Sequence, residues 1–135
     1  MKQGDLQIGD WVLSFPDQCR VDGIICLREG HTAEEKWMAI VHLGGNKYER
    51  VNVGMLEPIP ITHEILEKNG FKESYCAHIL GSYDGKEIML DLGTVYLCED
   101  DAPEGWEAIR IKDIQYVHEL QHTLKYFNID KEIVL

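Results

Sequence analysis

One hundred and thirty-five residues with 44% hydrophobic content suffice for a packed core, in one domain or two small lobes, and exclude wholesale disorder. No apolar run approaches the roughly 20 residues of a membrane helix, and Met1-Lys2-Gln3-Gly4-Asp5 lacks a secretion signal's apolar core, so the expectation is a soluble, cytoplasmic chain with no membrane partner. The net charge of −11, from 24 acidic against 13 dispersed basic residues, disfavours duplex nucleic acid, whose counterions are displaced by clustered Lys or Arg.

The first sixty residues read as short strands. Leu6 to Leu13 is a turn followed by a strand. Cys19 to Leu27 is a second strand, in which Gly23 marks a bulge or bend. Trp37 to Leu43 is a third. Gly44-Gly45-Asn46 supplies positive-φ residues for a hairpin, and Tyr48 to Val53 returns as a fourth. Gly44-Gly45-Asn46-Lys47 lacks the spacing and the following helix of a phosphate loop. Short strands with Gly-rich turns predict an SH3-like small β-barrel over residues 1–57. Pro58 and Pro60 then stiffen a connector over 58–61.

An α+β unit is predicted over 62–135. Thr62 N-caps a short helix with Glu64 in its first turn, Ile61 and Leu66 as a hydrophobic staple, and Asn69-Gly70 at its end. Four strands of an antiparallel meander follow: Tyr75 to Leu80, Glu87 to Leu92, Thr94 to Cys98 and Trp106 to Ile111. Asp113 is the expected N-cap of a second helix with the apolar stripe Ile114, Val117, Leu120, Leu124 and Phe127, closed by Asn128. Lys131 to Leu135 is expected as a last edge strand. The fold class is therefore α+β, a small barrel plus a meander packed with two helices.

Chemistry concentrates in Val117-His118-Glu119-Leu120-Gln121-His122, which contains H-E-x-x-H. In zinc peptidases the two histidines hold the metal from one helix face, and the glutamate is the general base. At about 100° per residue, His118 and His122 sit about 40° apart. A third ligand is missing from the spacing: Lys125 and Asn128 stand where a longer signature needs Gly and His. A zinc-dependent hydrolase with Glu119 as base is thus the alternative reading, and the expectation is no catalytic residue and no cofactor. A second zinc alternative joins Cys76 and His78, which share one strand face at i and i+2, to His118 and His122.

Four cysteines, Cys19, Cys26, Cys76 and Cys98, form no C-x-x-C pair and are expected as reduced, mostly buried thiols. Trp11, Trp37 and Trp106 suit core or rim positions. Trp11 with Tyr48 is the candidate binding surface, since exposed aromatics on small barrels bind peptides or bases. Glu99-Asp100-Asp101, with Glu104 and Glu107, is a solvated acidic loop or a docking patch for a basic partner, as in a nucleic-acid mimic.

Three segments carry a family resemblance across nearly the whole chain. Leu6-Gln7-Ile8-Gly9-Asp10-Trp11-Val12 is similar to L-x-I-G-N-x-V, with Asp10 in place of Asn. Glu57 to Phe71 is similar to E-P-I-P-L-T-E-E-I-L-x-K-N-G-F, and Tyr116 to Leu124 to Y-V-H-x-L-Q-x-L. The chain thereby resembles a family of small proteins from anaerobic gut bacteria and their phages and mobile elements. The resemblance implies no established activity. It implies that Gln can replace Glu119 and Asn can replace His122, which would remove the base and one ligand of a zinc site. The phage context implies an accessory or anti-defence role. The expected function is a non-catalytic binding protein with a protein partner, an acidic decoy or inhibitor being a third reading.

Overall fold

The computed structural model describes residues 1–28, 35–74, 77–83, 86–99 and 107–135. The chain divides into two compact units, Met1–Ile59 and Pro60–Leu135, so the division falls within the Pro-rich connector. Among the described residues the architecture is α+β: two five-stranded antiparallel sheets and two α-helices.

In the N-terminal unit the strands are β1 (Trp11–Ser14), β2 (Asp17–Leu27), β3 (Lys36–Gly44), β4 (Lys47–Asn52) and β5 (Glu57–Pro58), in the order β4-β3-β2-β1-β5. Gly9 at φ 94 turns the chain into β1, and the Asp10 carboxylate accepts from the Gln7 amide at 2.7 Å. That contact gives the Gly9-Asp10 pair its local purpose. An Asn at position 10 could accept the same bond. The register of β2 against β3 shifts between Val21 and Gly23, the bulge expected at that glycine. Gly44 and Gly45 take positive φ between β3 and β4. Leu6, Val12, Cys19, Val21, Ala39, Val41, Val53 and Leu56 form the buried cluster, with Trp37 and Val51 among the residues packed against it. The pairings form an open ladder from β4 to β5, with no β4–β5 pairing among the described residues.

In the C-terminal unit, α1 (His63–Lys68) leads into β6 (Phe71–Ser74), β7 (Ala77–Tyr83), β8 (Lys86–Asp91), β9 (Thr94–Glu99) and β10 (Glu107–Asp113), and then into α2 (Val117–Tyr126). The sheet order β10-β9-β8-β7-β6 is an unbroken meander with one strand more than predicted. Phe71, which lies outside the four predicted strands, opens that extra strand and is buried. Thr62 caps α1 by accepting from the Ile65 amide at 3.3 Å, and Gly70 takes φ 84 beyond its end. Val117, Leu120 and Leu124 bury the apolar side of α2.

Two expectations are corrected. Asp113 does not cap α2. It ends β10, where its carboxylate accepts from Thr94 Oγ1 at 2.7 Å and from Arg110, and those two bonds hold it below the usual carboxylate range. The helix starts at Val117, with Tyr116 as N-cap. Lys131 to Leu135 joins no sheet. The buried Asn69 carboxamide acts in place of a strand partner: Nδ2 donates to the Val134 carbonyl at 2.7 Å, and Oδ1 accepts from the Val134 amide at 2.8 Å. The Lys68 ammonium holds the Leu135 carbonyl beside it.

Candidate functional site

The H-E-x-x-H segment begins in the first turn of α2, with His118 and Glu119 as its second and third residues. Glu119 is the third helical residue, so its carboxylate can reach back to the amides that the first turn leaves unpaired. It accepts from Gln115 N at 2.7 Å and from Tyr116 N at 3.1 Å. His118 is buried, 6% exposed, with its ring stacked on Tyr116 at 5.9 Å. His122 is half-buried, and its ring meets His118 edge-on at 5.7 Å.

His78 stands elsewhere. Its Nε2 lies 2.7 Å from Nδ1 of His63, on α1. Cys76, the other proposed ligand, lies outside the described residues, as do Trp106 and most of the acidic stretch after Glu99. Among the described residues, one group of three or more His, Cys, Asp or Glu side chains brings its ligand atoms within 4.8 Å of one another: His63, Glu67 and Glu73. His63 and Glu67 are i and i+4 on α1, with His63 Nε2 3.1 Å from Glu67 Oε1. Glu73 faces His78 directly across the β6–β7 ladder, and paired residues share a sheet face. A cleft of about 390 Å³ adjoins this cluster. Its lining includes His63 and His78 with Ile61, Leu66, Leu90 and Ile114. The Ile61 amide donates to the Gln115 carbonyl at 3.0 Å, which fixes the strand entering α1 beside the turn that enters α2. The sequence reading missed His63, Glu67 and Glu73. The i, i+4 spacing was legible, whereas the approach of β6 and β7 was not.

The N-terminal unit carries a second arrangement. Trp11 pairs with Arg20, Arg20 with His42, and His42 with Tyr48, in one row across β1, β2, β3 and β4. Their chain neighbours Val12, Cys19, Val21 and Val41 point into the core, so the row occupies the opposite face. The Arg20 guanidinium lies over the Trp11 ring at 5.8 Å, and the His42 ring stacks on Tyr48 at 4.9 Å. Tyr48 is 59% exposed and Trp11 is half-buried. The row thus links the two predicted aromatics through Arg20 and His42, two residues the sequence reading did not single out.

Burial pushes the Cys19 and Cys98 thiols up from their ordinary value. Cys19 Sγ donates to the Val12 carbonyl at 3.6 Å inside the core. These two cysteines are core hydrophobes in character, and Cys26 is half-buried. No helix among the described residues is long and apolar enough to cross a membrane. No protein-family model, curated protein or solved structure matches this chain.

Proposed function

We propose that the chain is a non-catalytic binding protein whose N-terminal unit, an SH3-like barrel, engages a protein partner through the Trp11–Arg20–His42–Tyr48 face. The barrel reading is supported by five strands in one ladder, with a 3-10 turn at Val53–Met55 leading into a last strand that returns beside the first. The observation that carries the function is the cross-strand row itself. Trp, Tyr and Arg are the residue types that dominate protein–protein binding energy. Here they line one sheet face, and Tyr48 is largely open to solvent.

The capping role of Glu119 supports the non-catalytic reading. A carboxylate that accepts two backbone amides is held at the helix start, where a peptidase base would instead face a metal-bound water.

Affinity capture from the native host compares the wild-type chain with a Trp11→Ala/Tyr48→Ala variant. The expected result is a partner that binds the wild type in purified form and loses at least about tenfold in affinity to the variant, as loss of one aromatic anchor implies. Equal binding by both proteins would refute the assignment of this face.

A further inference from the structure

The C-terminal unit brings together side chains that neither the cap of α2 nor the N-terminal face uses. Glu67, on the same helix, lies 3.1 Å from Nε2 of His63, and Glu73, on β6, completes a trio whose ligand atoms all lie within 4.8 Å of one another. His78 meets the Nδ1 side of the same ring at 2.7 Å. A ligating histidine is commonly oriented in this way: one ring nitrogen is left for the ion, and the other is fixed by a hydrogen bond. Ion pairing between exposed side chains contributes little to stability, and His63 and Glu67 are 45% and 57% exposed. Stability therefore does not account for the convergence of four ionisable groups from three elements.

We propose that His63 Nε2, Glu67 and Glu73 form a divalent transition-metal site at the rim of the cleft, with His78 as the positioning residue. One imidazole and two carboxylates suit a first-row ion such as Zn²⁺, Mn²⁺ or Ni²⁺ better than a thiolate-selecting one. An ion bound at His63 Nε2 requires that nitrogen without its proton, so any proton held there towards Glu67 Oε1 is released to solvent. His63 then keeps its Nδ1–H, which donates to His78 Nε2. Three protein ligands leave coordination positions to water or to an acidic or carbonyl-bearing ligand, and the apolar cleft lined by Leu66, Leu90 and Ile114 adjoins them. The proposal is independent of the N-terminal face, and either can fail without the other.

Calorimetric titration of the full chain with Zn²⁺, repeated with Co²⁺ for its absorption spectrum, tests the site. The expected result is one ion per chain and a Co²⁺ spectrum without thiolate charge transfer. His63→Ala should abolish binding. Glu67→Gln and Glu73→Gln, both at exposed positions, should each weaken it, and circular dichroism should confirm that these variants stay folded. His78→Ala should weaken it by about tenfold, as expected for loss of an orienting partner, and His122→Ala should leave it unchanged. Absence of binding, a thiolate spectrum, or loss in His122→Ala with retention in His63→Ala would overturn the assignment.

Discussion

Glu119 shows how one residue type serves two chemistries according to its place in a helix. In the interior of a helix its carboxylate would be free to face a metal. At the third position it meets the amides of Gln115 and Tyr116. Its effect on stability follows from that contact. Glu119→Gln keeps a carbonyl oxygen that can accept the same amides and loses only the charge at the positive helix end, a cost of roughly 0.5 kcal/mol. Glu119→Ala loses the acceptor as well and should cost about 1–2 kcal/mol. Urea denaturation of the three proteins measures both. Equal losses in Gln and Ala would show that hydrogen bonding to the cap is not what Glu119 supplies. Asn69 makes the same point by another route. From sequence it is a helix-end residue beside a glycine. In the fold its buried carboxamide also clamps Val134 through both of its polar atoms. The first role is local and legible, and the second depends on a segment 65 residues away.

At the scale of elements, the turn between β8 and β9 shows a conflict that sequence patterning conceals. Asp91 faces Thr94, which leaves Leu92 and Gly93 as a two-residue loop with φ of 46° and 82°. Two positive φ values define the hairpin turn that Asn-Gly satisfies best, and a leucine there is strained. Leu92 is 94% exposed, so little packing is lost on replacement. Leu92→Asn should raise stability by roughly 0.5–1 kcal/mol. Gly93→Ala should lower it by at least about 1 kcal/mol, because its Cβ would stand 3.2 Å from the Ile114 carbonyl oxygen. The Gly93 carbonyl is itself bonded to the Ile114 amide at 2.7 Å, so the backbone has little room to yield. Midpoints of chemical denaturation decide both signs. Where local chemistry sets an element, the sequence was a good guide: Thr62 and Gly70 bound α1, Gly23 bends β2, and the glycines after Leu43 turn the hairpin. Where pairing sets it, the guide failed. Phe71 became a strand because β7 lies beside it, whereas in residues 131–135 the Asn69 side chain takes both backbone groups of Val134. The His63–His78 contact belongs to this second kind. It needs the Glu73–His78 register, which no spacing along the chain reveals.

For the whole molecule, each of the two units carries a buried thiol: Cys19 in the N-terminal core and Cys98 in the C-terminal sheet. Burial is the first cause of both upward shifts, with Asp17 and Glu49 adding to that of Cys19 and Glu87 to that of Cys98. The sign of the pH effect follows from linkage. Below the ordinary thiol value of 9.0 both states hold the proton, and the full stability is present. Above it the unfolded thiol ionises while the folded one does not, so stability falls until the folded thiol also ionises. The loss therefore begins above pH 9.0 and, with a thiol of raised pKa in each unit, should be felt in both. Amide resonances of β1 to β5 and of β6 to β10 report the two units separately in urea titrations at neutral and alkaline pH. Cys19→Ala should flatten the alkaline decline in the first set, and Cys98→Ala in the second. All other side chains are common to all three proteins, so the difference between variant and wild type isolates the thiol. A decline of equal slope with and without the cysteine would mean that burial does not hold that thiol neutral.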